Sequence, residues 1–229
     1  MKKLVFHQEI VYILATIILS FAVAIIAASD LGLSMVVAPA YVLSLYFDFL
    51  SFGQAEYVVQ GVLFIAFCIL MRKIRLSYFF AFLSCFIYGL TLDLWRLIPI
   101  LNPDITAPGS MSLGLRILFF ASGIILTSLS VAMYFKAYFP PQVNDYFVKG
   151  VSAKYNIKQS LFKTCYDMAN LILAIVLSLC FFGEIRGVGW GTVFITLING
   201  FLIGMFSKLL DKIFDFRPLI PKAQAYFEK

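Results

Sequence analysis

The chain has 229 residues, of which 62% are hydrophobic, 17% aromatic and only 13% charged, with a mean hydropathy of +0.95. Soluble domains average roughly 25% charged residues, so a water-facing globule is excluded and most of the surface must face lipid. The net charge of +6 would suit a nucleic-acid binder if it covered one face. It is instead gathered into clusters between apolar stretches, which excludes that class and leaves a topological signal plus attraction to anionic lipid.

Residues 10–29 carry no charge and are long enough to cross a bilayer, which takes about 20 apolar residues. They exceed the roughly 7–15 residues of a cleavable signal core. The small edge Ala27-Ala28-Ser29 would suit cleavage, but losing this segment would leave an odd number of spans. Residues 33–50 are apolar but short and interrupted by Pro39, which predicts an outer interfacial helix or a re-entrant segment packed in protein. Further spans are predicted at 52–71, 76–97, 112–134, 159–182 and 188–207, the last continuing as helix to about Asp215. Residues 140–155 open with Pro140-Pro141 and then alternate Val143, Phe147, Val148 and Val151 with polar positions, the pattern of a short amphipathic cytoplasmic helix.

Fifteen of the eighteen Lys and Arg residues fall into four groups. These are Lys2 and Lys3; Arg72, Lys73 and Arg75; Lys136, Lys149, Lys154, Lys158 and Lys163; and Lys208, Lys212, Arg217, Lys222 and Lys229. Loops rich in Lys and Arg stay in the cytoplasm, so both termini are placed inside with six spans between them. Asp30, Asp48, Glu56, Asp93, Asp104 and Glu184 then fall in outer loops and span ends, where Asp93 and Arg96 read as an exposed pair. Trp95 and Trp190 fall near the outer boundaries, where indole rings prefer the interface.

The order span, Pro-containing short segment, span, charged turn, span occurs twice. Phe52-Gly53-Gln54 can be laid on Ile157-Lys158-Gln159, and Ile87-Tyr88-Gly89-Leu90 on Ile198-Asn199-Gly200-Phe201. Three spans per half invert the second half relative to the first, an architecture of transporters. The predicted fold is thus an all-α polytopic membrane protein of six transmembrane helices. It forms one membrane domain, with inverted three-helix repeats at 1–105 and 106–215 and a cytoplasmic tail at 216–229.

Polar residues inside spans need a reason, since a charge at the bilayer centre costs at least about 2.5 kcal/mol. Gln159, Lys163, Tyr166, Asp167 and Asn170 fall on one face of the fifth span at spacings of three and four. Asp167 is read as a solute- or proton-binding carboxylate, or as the partner of Lys163 near the interface; Asn170 is read as binding solute or a neighbouring helix. Thr192, Thr196 and Asn199 share a face of the sixth span, where Gly187, Gly191, Gly200 and Gly204 allow close helix approach. Tyr88 is the repeat counterpart of Asn199, and Gln60 lies inside the second span. The candidate substrate-binding set is Asp167, Asn170, Asn199, Thr196, Tyr88 and Gln60, and Asp167 and Asn170 are expected near Asn199 or Thr196. Cys68, Cys85, Cys165 and Cys180 lack metal-ligand spacing and read as packing residues. No nucleophile–base pair, phosphate loop, metal cluster or cofactor motif occurs, so neither an enzyme nor a cofactor is expected.

Ser29-Asp30-Leu31-Gly32-Leu33-Ser34 with Pro39, Leu50-Ser51-Phe52-Gly53-Gln54, Tyr166-Asp167, Gly187-Val188-Gly189-Trp190-Gly191-Thr192 and Asn199-Gly200 resemble the YczE/YitT-like bacterial integral membrane proteins. The resemblance spans most of the chain and implies a multi-pass protein of the bacterial inner membrane, with no assigned activity. The leading expectation is passage of an unidentified small molecule, coupled to protons through Asp167. The rivals are a substrate-binding subunit energised by a partner ATPase and a non-transporting scaffold for a cytoplasmic enzyme. A homo-oligomer or a partner protein is compatible with each.

Overall fold

The computed structural model describes residues 3–73 and 75–227. Lys2 and Lys229 of the basic groups lie outside the described residues. Six helices are long and apolar enough to cross a membrane: α1 (Gln8–Ser29), α3 (Phe52–Met71), α4 (Leu76–Trp95), α5 (Leu113–Tyr134), α7 (Gln159–Phe182) and α8 (Trp190–Ile213). Among the described residues there are also three shorter α-helices: α2 (Ala38–Tyr46), α6 (Val143–Lys154) and α9 (Pro221–Phe227). The ends follow local chemistry. Ser51 and Gln54 form a reciprocal capping box at the start of α3, Ser112 caps α5, and Asp30, Arg72 and Gly183 close α1, α3 and α7 in the left-handed conformation.

Two short strands, absent from the sequence reading, flank the helices. β1 (Leu4–His7) pairs in parallel with β2 (Phe214–Arg217), so both ends of the chain share one face, here the terminal face. Glu9 accepts from the backbone N–H groups of Leu219 and Ile220 and from the Tyr138 hydroxyl, which fastens the tail there. The α3–α4 turn with Arg72, Lys73 and Arg75 and the α6–α7 turn with Lys154 and Lys158 lie on that face too. The opposite side is the distal face.

At the centre α1 crosses α5 closely. Ser130 donates to the Ala15 carbonyl at 2.6 Å, Tyr134 to Thr16 at 2.9 Å, and a Cβ on Gly123 would strike Ile26. α1 then packs on α4, and α5 on α8; α2 packs on α3 and α7, and α6 on α7 and α3. Two correspondences of the expected repeat fail: α3 and α4 pack together, whereas α7 and α8 barely meet, and α4 touches α6, whereas α8 and α2 barely meet.

The reason for the first is visible at two glycines. A Cβ on Gly53 would collide with the Gly89 carbonyl, and one on Gly89 would lie 2.8 Å from the Gly53 carbonyl. On α8, a Cβ on Gly200 or Gly204 would meet nothing within 4 Å. The close approach expected at Gly187 and Gly191 holds against Tyr41, Leu31 and Phe120, but the one expected at Gly200 and Gly204 does not form.

Both short segments enter the protein. α6 does not lie on the surface as its amphipathic pattern suggests. Its N-cap, Gln142, accepts from Gln60 at 3.2 Å, about 12 Å along α3 from Phe52 at 1.5 Å rise per residue. Its last residue, Lys154, reaches the Leu70 carbonyl at 2.5 Å, so α6 runs beside the terminal half of α3. Val143, Phe147, Val148 and Val151 are buried, the last two turns against Phe67 and Tyr78. α2 mirrors this from the distal side. Leu33 and Ser34, before it, lie beside Thr127 and Asn199, and Tyr46 at its end stacks on Phe181 near the end of α7. The segment around Pro39 is therefore packed within the protein, with Ala38–Val42 buried.

Candidate functional site

Two crevices approach the middle of the protein from opposite faces. The distal one has a volume of about 1190 Å³. It exists because the chain bends sharply after α1, with Asp30 at φ 50° and Gly32 at φ 115°. The bend is zipped to the approach of α8: Leu33 N–H donates to the Gly187 carbonyl at 3.0 Å and Gly191 N–H to the Leu31 carbonyl at 2.9 Å. The two glycine-containing motifs thus build one structure together. Arg116 reinforces it by donating to the Ser29 and Asp30 carbonyls at 2.7 and 2.9 Å. Tyr41, Phe120, Phe194 and Leu197 line this crevice, with Asp30, Glu184 and Arg186 also on its wall.

The terminal crevice holds about 580 Å³ and is walled by Tyr134, Pro140, Pro141, Asp145, Lys149 and Lys163. Between the two lies a void of about 10 Å³ walled mainly by Val23, Ile26, Leu33, Ile124 and Ile195, with Ser34, Thr127 and Asn199 as the polar residues beside it. Ser128 donates to Asn199 Oδ1 at 2.8 Å. The buried Thr127 hydroxyl has no hydrogen-bond partner. Asn199 lines both this void and the terminal crevice.

A second polar centre lies between α3 and α6. Glu56 is 2% exposed and Gln60 is fully enclosed. Gln60 Nε2 donates to Glu56 Oε2 at 3.0 Å and to Gln142 Oε1 at 3.2 Å. Glu56 Oε1, Gln60 Oε1 and Gln142 Nε2 are buried without partners. The Cys85 thiol donates to the Glu56 carbonyl at 3.8 Å, and Tyr88 packs close by. Glu56, placed by sequence among the outer loops and span ends, is an interior residue.

The expected site residues separate. Gln60 and Tyr88 belong to the α3–α4 side with Glu56. Asn199 lies beside the void between the crevices. Asp167 pairs with Lys163 at 3.5 Å, and Lys163 also lies 3.7 Å from Asp145, which ties α7 to α6. Asn170 is buried but donates to its own helix at the Tyr166 carbonyl, 2.9 Å away. Thr196 is exposed and donates to the Thr192 carbonyl at 2.8 Å. Neither Asp167 nor Asn170 bonds to Asn199 or Thr196. Asp93 and Arg96 do not pair: Asp93 accepts from Ser51 and from Gly53 N–H at the start of α3, while the buried Arg96 holds Asn102 and Asp104.

Six apolar spans, two buried half-helices and an enclosed polar interior define an all-α, multi-pass integral membrane protein. The chain belongs to a family of unknown function, DUF6198, whose pattern matches residues 6–208. No curated protein and no solved structure matches it.

Proposed function

We propose that this protein is a small-molecule transporter of the bacterial inner membrane, with its terminal face in the cytoplasm, and that it works without a catalytic step. The observation that carries the reading is the pair of crevices ending on either side of the void beside Ser34, Thr127 and Asn199. Each is fed by a half-helix entering from its own face, and irregular backbone at membrane depth is tolerated where it lines a cavity. Volumes of 1190 and 580 Å³ suit a small organic solute, and apolar walls with a few charged groups suit one of mixed polarity.

The packing also supports an inverted repeat. α2 on α7 corresponds to α6 on α3, α1 on α4 to α5 on α8, and α2 on α3 to α6 on α7. In this reading the mismatch of α3–α4 with α7–α8 is the difference between two states: one half closed, the other open. Exchanging them would close the larger crevice and open the smaller. The cytoplasmic placement follows from the basic groups around the terminal face.

The test is a ligand-stabilisation screen on purified full-length protein, followed by counterflow of any hit in proteoliposomes. A solute that raises the melting midpoint of the wild type, loses that effect in Asn199→Leu and is exchanged across the bilayer would support the reading. A hit that binds equally to Asn199→Leu and is not exchanged would sink it.

A further inference from the structure

We propose that Glu56 binds the proton that drives this transporter, and that Gln60 and Gln142 pass its protonation state to the wall of the terminal crevice. The inference rests on the transport reading above and names its coupling ion and coupling residue.

Glu56 lies one helical turn inside α3, about 6 Å from Phe52 by helix rise, yet it is 2% exposed because α4 and α6 enclose it. Among the described residues, the groups around it supply no cation. From α4 come Cys85 and Tyr88, with Asp93 above them bound to Ser51 and Gly53. From α6 come Gln142 at its cap and Asp145, which is paired with Lys163. α2 offers Tyr41, stacked on Phe52, and α7 offers Tyr166, whose hydroxyl donates to Asn144. The Arg96 guanidinium lies over the Phe52 ring but is taken by Asp104.

An enclosed carboxylate with no counter-charge is costly, and proton binding removes that charge. It also supplies an O–H donor, and Gln60 Oε1 is a buried acceptor without one. In the protonated state Gln60 keeps one amide hydrogen on Glu56 and the other on Gln142, as the structure has them. When the proton leaves, the carboxylate competes for both amide hydrogens, because a charged acceptor makes the stronger bond. Gln142 is then released. It directly follows Pro140 and Pro141, which wall the terminal crevice, so release of the α6 cap moves that wall. The only covalent change is transfer of one proton on and off a Glu56 oxygen.

Infrared difference spectroscopy of the full-length protein across a pH jump tests the site. The expected protonated-carboxyl band is lost in Glu56→Gln, shifted in Glu56→Asp and retained in Asp167→Asn. If Glu56→Gln does not fold, the shift in Glu56→Asp decides. Persistence of an unshifted band in the Glu56 variants overturns the assignment.

The relay is tested by thiol labelling of Lys149→Cys, which faces the terminal crevice, with Cys165 and Cys180 replaced and rates normalised to Asn156→Cys. A severalfold pH dependence should appear with Glu56 present. It should vanish in Glu56→Gln, and vanish in Gln142→Leu while the infrared band remains. A pH dependence unchanged in Glu56→Gln refutes the relay. A Glu56 band with no transported solute would leave the proton site standing and remove the transport reading. A transported solute without the band would do the reverse.

Discussion

Adding one methyl group at a packed glycine of α3 and at an open glycine of α8 should have opposite effects. In Gly53→Ala the new Cβ collides with the Gly89 carbonyl and lies 2.6 Å from Asp93 Oδ2. Backbone cannot yield as a flexible side chain can, so α3 and α4 must separate. Asp93 must also give up its bonds to Ser51 Oγ at 2.5 Å and Gly53 N–H at 2.8 Å. Overpacking costs about 1–3 kcal/mol, hydrogen bonds to a charged group contribute about 1.5–3 kcal/mol, and replacing glycine in a helix returns about 0.5–1 kcal/mol. The net loss is roughly 2–5 kcal/mol, a fall in melting midpoint on the order of 10 °C. In Gly200→Ala only the last of these effects operates, because the position is open. That variant should melt at or slightly above the wild-type temperature. Intrinsic tryptophan fluorescence on heating, with both variants in the same detergent, is the assay. A Gly53→Ala protein as stable as wild type, or a Gly200→Ala protein that falls equally far, would refute the closed-half and open-half description. Gly200→Leu carries it further: it should fold, yet block closure of α7 on α8 and abolish counterflow of any transported solute.

Asp167→Asn should lower stability by no more than about 0.5 kcal/mol, the worth of an i,i+4 ion pair on a helix, and leave any pH dependence of transport intact; a lost pH dependence would return the coupling role to Asp167. Tyr138 is held above the ordinary phenol range by burial and then by its hydrogen bond to Glu9. A raised folded-state value gives stability that is fully present below the ordinary phenol pKa of about 10 and is lost as pH rises beyond it. Tyr138→Phe should therefore melt lower than wild type at pH 8 and lose less stability between pH 9 and about 11; parallel pH curves would contradict the assignment. Cysteines at Gly109 and Gly183 should label from outside the cell, and those at Lys73, Asn156 and Lys222 only after permeabilisation; outside labelling at Asn156 would invert the topology.

The spans were legible because hydropathy reports one property, burial in hydrocarbon, and length decides the rest. Residues 52–71 and 159–182 coincide with α3 and α7 to the residue. The polar stripe on α7 was legible as a face, but which neighbour it meets was not, because helical spacing fixes direction around an axis and not the partner. Lys163 and Asp167 satisfied one another and Asp145, an outcome a single helix face already allowed. Glycine spacing misled at Gly200 for the same reason: small residues permit close approach without compelling it.

The residues that sequence reasoning missed share one cause. Glu56 reads as a span-end carboxylate because its distance from Ser51 is short, and a short distance from a span end suggests exposure. What buries it is α6, whose apolar positions repeat as they would on a membrane surface. Periodicity cannot distinguish lipid headgroups from a protein wall on the far side. A signal was nevertheless present. Glu56 and Gln60 are four apart, hence on one helix face inside a span, and such a pair needs a third polar group to satisfy it. Gln142 follows two prolines that end any preceding helix, and it is uncharged where the neighbouring basic groups would lead one to expect Lys or Arg. A lone amide at the cap of a half-helix is the complement a buried Glu–Gln pair requires. The proposed internal repeat offers a second route. The half-helix before α3 was already open to a re-entrant reading through Pro39, and an inverted repeat that sends α2 into the distal half of the protein sends α6 into the terminal half. Applying the symmetry to the short segments as well as to the spans would have carried Gln142 to the depth of Gln60.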